Sequence, residues 1–312
     1  MIPACPPELA IPIRRNIVIA AIAILANLGL LWTAAHAPNW WITALAAFAF
    51  SFTNNTVFSL QHEAVHGSFH PDRKLNDAAG ILFAAFFPTI FAIQRISHLG
   101  HHRRNRTDQE LYDYVLPGES WILKTYWIYC LLFGFYWMII PVAMSLYIIA
   151  PWAFRSTRFR RGPARWWGFE PFVADIAAAP VGYIWLQGIF TFAVQAALFY
   201  ALDLDFVSWL CCYWAFGINW SSVQYTDHAG SPRDVIEGAW NLRFTKPSQV
   251  LFLNYNLHLA HHREPWVPWI HLPDRLRPND PNPSFWSIYL RLFLGARRVP
   301  TEVVANSLTP RD

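Results

Sequence analysis

The sequence predicts an all-α integral membrane protein, and three observations carry that prediction. Of 312 residues, 54% are apolar and only 14% are charged, against about 25% charged in a typical soluble domain. Mean hydropathy is positive, at +0.22. The remaining charges fall between apolar runs, several of them near the ~20 residues a helix needs to cross a bilayer. About four transmembrane helices are expected, with re-entrant or interfacial helices beside them. A histidine-rich helical region should cap them on the cytoplasmic face, the whole forming one domain over 1–312.

Arg14 and Arg15 precede the first apolar run, at about 16–34. The basic pair argues for a cytoplasmic N-terminus, and no small-residue cleavage site follows, so the run reads as an anchor. A turn at His36-Ala-Pro-Asn39 leads to a second crossing at about 40–61, which returns the chain to the cytoplasm at His62. The next apolar stretch, 78–93, has Pro88 near its middle. If the histidines on either side of it share one membrane face, it cannot cross once, and a bent or in-plane path is expected.

The longest apolar run, 126–152, is interrupted by Gly134 and Pro141 and followed by Arg155, Arg158, Arg160, Arg161 and Arg165. As a simple crossing it would put five arginines outside, against the positive-inside tendency, so a hairpin or in-plane segment is preferred. Crossings at about 181–201 and 206–223 are joined by Asp203-Leu-Asp205. A Pro-rich polar tail follows 264, with an amphipathic piece at 284–295. Cys5, Cys130, Cys211 and Cys212 form no C-x-x-C pair. They read as reduced packing thiols rather than a disulfide framework, zinc ribbon or iron–sulfur site.

Three clusters hold eight imidazoles: His62-Glu-Ala-Val-His66, His98-Leu-Gly-His101-His102 and His258-Leu-Ala-His261-His262; His228 is a ninth. His62 and His66, at i and i+4, share a helix face. In the other two clusters the first pair is one turn apart and the last histidine is rotated by about 100°. Such a cluster can feed two ions or grip one from two sides. Neutral imidazole suits iron, zinc and copper. Nine candidates exceed the three or four ligands of a single zinc and point to two metals. Isolated His36 and His271 read as interfacial or core residues, and His70 as a loop hydrogen-bonder. Asp227, Gln224, Glu63 and Asn256 sit where they would orient ring N–H groups, or equally serve as caps and surface residues.

The order H-x-x-x-H, H-x-x-H-H, H-x-x-H-H resembles the membrane fatty acid desaturase superfamily. That superfamily includes desaturases, alkane and fatty acid hydroxylases, alkene-forming fatty acid decarboxylases, and carotenoid ketolases and hydroxylases. His62-Glu-Ala-Val-His66-Gly-Ser-Phe, with Leu75-Asn76 downstream, looks like its first box and following loop. Asn256-Leu-His258-Leu-Ala-His261-His262 resembles its N-Y-H-x-x-H-H, and Val267-Pro268-Trp269 and His271-Leu272-Pro273 fit the segment beyond. The resemblance covers roughly 40–275. Arg263-Glu264 and Arg103-Arg-Asn-Arg-Thr-Asp108 depart from the common pattern and leave the subfamily open.

The resemblance implies two Fe2+ ions facing the cytoplasm, with His228 completing the ligand set, and O2 as co-substrate. It implies attack on an unactivated C–H bond of a fatty acyl chain, desaturation first, with hydroxylation, decarboxylation to an alkene and carotenoid oxidation as alternatives. With no C-x-x-C, G-x-G-x-x-G or haem motif in these residues, electrons are expected from a separate ferredoxin, rubredoxin or cytochrome. The arginines at 103–106 and 155–165 suit either an acidic carrier or membrane orientation. A nucleic-acid partner is not expected. The different-class alternative is a metal transporter, whose site would lie near the bilayer midplane on broken helices.

Overall fold

The computed structural model describes residues 9–299. Cys5 lies outside them, and Cys130, Cys211 and Cys212 are free thiols. In chain order the helices are α1 (Ile13–Ala35), α2 (Trp40–His66), α3 (Arg73–Phe86), α4 (Phe91–Arg104), α5 (Trp121–Leu132), α6 (Phe135–Ile149), α7 (Pro151–Arg155) and α8 (Thr157–Phe159). After a π turn at Arg160–Ala164 come α9 (Glu170–Ala178), α10 (Val181–Ala201), α11 (Phe206–Thr226), α12 (Lys246–Leu251), α13 (His258–Arg263) and α14 (Phe285–Leu292). Among the described residues the one strand pairing is a two-residue parallel ladder, β1 (Tyr114–Val115) with β2 (Arg297–Arg298), beside isolated bridges of Asn241 with Leu257 and Arg243 with Ser284. The fold is therefore that of an all-α membrane protein.

α1 and α10 are long and apolar enough to cross a membrane singly; two bent pairs, α3–α4 and α5–α6, raise the number of candidate spans to four. The segments expected as the second and fourth crossings are helices of 27 and 21 residues, α2 and α11. Neither meets the apolarity of α1, because each buries polar side chains toward the bundle. Asn54 shows why. It accepts from Asn27 Nδ2 (2.9 Å) and donates to the Phe86 carbonyl (3.2 Å), so one side chain ties α1, α2 and the end of α3 together. Trp41, Leu45 and Phe48 of α2 point outward at 63–68% exposure, an apolar surface that a membrane would cover.

Both bends have physical causes. Between α3 and α4 the chain turns by 98° at Phe87–Ile90, where Pro88 removes a backbone donor. The freed backbone groups are met by polar side chains of α10. Gln195 donates to the Ala85 carbonyl (2.8 Å), Thr191 to the Thr89 carbonyl (2.8 Å), and Gln187 accepts from the Ala92 N–H (2.9 Å). Irregular backbone in an apolar setting is tolerated when protein satisfies it in this way. Between α5 and α6 the turn is 94°, at Gly134 with φ +77°, where a Cβ would lie 2.8 Å from the Ile218 nitrogen of α11. The bend thus lets α11 pack directly against the backbone. The first of these bends returns α4 beside α2.

Candidate metal centre

α2 continues past residue 61 to His66, so His62 and His66 stack on one face of its last turn. Gly67 then ends the helix in the left-handed conformation. α4 presents His98, His101 and His102, and α13 presents His258, His261 and His262. His228 follows α11 in a loop, between the N–H that Trp240 donates to the Asp227 carbonyl (2.7 Å) and the hydrogen bond of its own ring to Gly238. All nine imidazoles meet.

They sort into two groups of four. His62, His66, His98 and His261 form one, and His101, His228, His258 and His262 the other; the ligand nitrogens within each lie within 4.8 Å of one another. His102 stands between them. Its Nε2 is 3.0 Å from His98 Nε2 and 3.0 Å from His261 Nε2, and its ring centroid is 4.4 Å from that of His262. Imidazole nitrogens bind a first-row ion at about 2.0–2.1 Å, so a 4.8 Å spread suits one ion per group.

Hydrogen bonding alone does not account for this packing. His98 Nε2 lies 2.9 Å from His62 Nε2 as well as 3.0 Å from His102 Nε2. A neutral ring has one N–H and one lone pair, so it cannot pair both neighbours through a single nitrogen. Both nitrogens of His66 and Nε2 of His262 are buried without a partner. A cation at each shared centre would take one nitrogen of each ring in its group, and the donor set fits iron.

Electrostatics point the same way. Burial, reinforced by neighbouring rings, holds His228, His258, His261 and His262 well below their usual 6.5, in the neutral ligand form. Two hydrogen bonds set tautomers. His228 donates through Nδ1 to the Gly238 carbonyl (2.8 Å), and His101 through Nδ1 to Glu110 Oε2 (2.8 Å). Each leaves Nε2 with its lone pair toward the partner rings. Burial alone would raise Glu110, but the hydrogen bond from His101 and the Arg104 guanidinium hold it below the usual range.

The four residues expected near the rings divide. Asp227 lies against His228 and His258, at 3.8 and 3.5 Å. Glu63 instead accepts from Ser68 Oγ (2.8 Å) and the Trp269 N–H (3.1 Å), fastening the segment after α13 to α2. Gln224 accepts from the Tyr255 hydroxyl (3.0 Å), and Asn256 donates to the Leu242 carbonyl (2.7 Å). His36, His70 and His271 bond the Trp32 carbonyl, the Asp72 N–H and the Ala10 carbonyl, away from the centre. Glu110 and Gly238 were not singled out by sequence. An acidic residue soon after the second cluster was a signal for the first; nothing local marks the second.

A cavity of about 1100 Å3 opens from the centre. His62, His98, His101, His228 and His258 line one part; Trp127, Tyr147, Phe154 and Phe172 line another.

A sequence model of the fatty acid desaturase family matches residues 38–289. An omega-3 fatty acid desaturase of Sesamum indicum chloroplasts is 34% identical over 93 residues, 30% of this chain and 19% of that protein. A temperature-sensitive sn-2 acyl-lipid omega-3 desaturase (ferredoxin) of Arabidopsis thaliana chloroplasts is likewise 34% identical over 93 residues, 30% of this chain and 20% of that protein. The aligned segments thus span about a fifth of these relatives' own lengths. The family match spans most of the chain and takes in every one of the nine converging imidazoles: this chain belongs to the fatty acid desaturase family.

Proposed function

We propose that this protein is an O2-dependent di-iron oxidoreductase that inserts a double bond into a fatty acyl chain. The observation that carries the reading is the cavity, which joins an aromatic-walled chamber to both imidazole groups. Its volume of about 1100 Å3 lies just above the roughly 300–1,000 Å3 typical of small-molecule pockets. Its walls are mostly apolar, which suits an extended hydrocarbon. When bound, two iron ions would supply O2-dependent hydrogen removal from an unactivated C–H bond. The chain's own part is positional. Rings from α5, α6 and α9 exclude water and hold the acyl chain against the histidines, while Glu110 and the Gly238 carbonyl keep His101 and His228 in the tautomers that bind metal.

His62, His66, His98, His101, His102, His228, His258, His261 and His262 are the proposed iron ligands. The basic pair Arg14-Arg15 in the first turn of α1 and two crossings by α1 and α2 would set them on the cytoplasmic face, with α10 and α11 as the other crossings. Electrons would come from a separate carrier. The name of the Arabidopsis relative specifies ferredoxin, and we take a ferredoxin-type protein as the donor here.

Mass spectrometry of the lipids of a host expressing the protein tests the reaction. Fatty acyl chains short of two hydrogens, with an internal olefin, are expected, and His261→Ala should abolish them. An alcohol, a 1-alkene or an oxidised carotenoid would assign one of the family's other reactions instead. Lipids unchanged by the wild type across hosts supplied with iron and a carrier would end the reading.

A further inference from the structure

Asp227 is fully buried and its backbone is fixed on both sides, its N–H donating to the Val223 carbonyl and its carbonyl accepting from Trp240. Among the described residues it is the one acidic side chain whose two oxygens are both buried without a hydrogen-bond donor. Its ion-pair neighbours are two rings of the second group, His258 Nε2 at 3.5 Å from Oδ2 and His228 Nε2 at 3.8 Å from Oδ1. The His228 proton is on Nδ1, committed to Gly238, so its Nε2 lone pair faces the carboxylate. A lone pair opposite a carboxylate is repulsive unless a proton or a cation lies between them, and 3.8 Å is too long for a shared proton. The His258 contact is also too long for a charge-assisted hydrogen bond, which runs at about 2.7–2.9 Å. Separations of roughly 3–4 Å are what two donors on one first-row ion show when each sits about 2.0–2.2 Å from it.

We propose that Asp227 is a direct ligand of the ion held by His101, His228, His258 and His262. This rests on the di-iron reading and makes the two ions chemically unequal. One is held by neutral imidazoles, the other by imidazoles and an anionic oxygen, with His102 between them. An anionic hard ligand favours the ferric state, so the second ion should bind more tightly and oxidise first.

The test loads the full-length protein with isotopically enriched ferrous iron and records iron per chain and the Mössbauer spectrum. The wild type should hold two ions giving two resolved doublets. Asp227→Asn should fall to about one ion per chain, with at least tenfold weaker binding of the second and loss of one doublet. Should Asp227→Asn fail to accumulate, Asp227→Glu keeps the charge and should hold two ions with one doublet shifted. Unchanged doublets at full occupancy in either variant, or a single doublet for both wild-type ions, would overturn the assignment. A wild type that takes up no iron would instead sink the di-iron reading itself.

Discussion

The two imidazole groups have the same number of rings and are held in different ways. His62, His66 and His98 of the first group are positioned by rigid helices, and His66 has no hydrogen-bond partner on either nitrogen. The second group depends on polar anchors, with Glu110 on His101 and the Gly238 carbonyl on His228. His101 lies on α4 and its anchor sets only the tautomer, but His228 is on a loop and needs its anchor for direction. A ring on a helix face inherits its direction from the backbone, whereas a ring on a loop must be aimed by hydrogen bonds. The second group should therefore be more sensitive to distant substitutions.

His102 joins the two groups, and its loss should have the largest effect. His102→Ala should leave less than one iron per chain and no detectable product, because its Nε2 packs against His98 and His261 of the first group and its ring against His262 of the second. Retention of one full ion would place it in a single group. Glu110→Gln comes next. It exchanges the anionic acceptor that sets the His101 tautomer for a neutral amide, and weakening such a partner costs up to about 10–100-fold in metal affinity or activity. Iron titration should show the loss in one of two binding phases; equal weakening of both would erase the contrast drawn between the groups.

Acid should unload both groups, by a third and broader effect. His228, His258, His261 and His262 sit well below 6.5 in the folded chain, while the unfolded chain takes up protons as pH falls through about 6.5. Below that pH the unfolded state binds more protons, so metal-free stability falls as pH falls, by up to about 1.4 kcal/mol per imidazole for each further pH unit. Chelated protein should show a melting temperature that drops steeply between about pH 6.5 and 5.5. A flat profile would mean that the rings are already charged when folded.

Much of this arrangement was legible from spacing. The i, i+4 pair predicts that His62 and His66 share a helix face, and α2 runs on to carry both. Pro88 and Gly134 mark the two bends. The repeated H-x-x-H-H pattern predicts clusters that can reach two ions, and His102 lies between the groups, against His98 and His261 on one side and His262 on the other. What spacing cannot supply is contact between segments far apart in sequence. His228 is a lone histidine by pattern and enters through the family resemblance. Gly238 matters only because its carbonyl lies under the His228 ring, a consequence of how the loop after α11 folds back. Glu63 lies between two of the proposed ligands in sequence, yet its carboxylate turns to Ser68 and Trp269, since a helix sends adjacent residues about 100° apart.

Two glycines give the finest test of the comparison, because the same substitution should act differently beside each group. Gly67 follows His66 with φ +78°, and a Cβ there meets nothing within 4 Å. Gly67→Ala should therefore cost only the left-handed backbone penalty, about 1–2 kcal/mol. Iron content should not change, because His66 is already placed by the helix before it. At Gly238 a Cβ would lie 2.1 Å from the Asp234 carbonyl oxygen and 2.5 Å from Arg106 Cγ. Gly238→Ala must shift the loop, costing about 1–3 kcal/mol as overpacking does, and with it the carbonyl that orients His228. Stability losses of similar size should thus accompany full iron occupancy in one variant and a weakened second ion in the other. Equal iron content in both would mean that the loop histidine does not need its anchor.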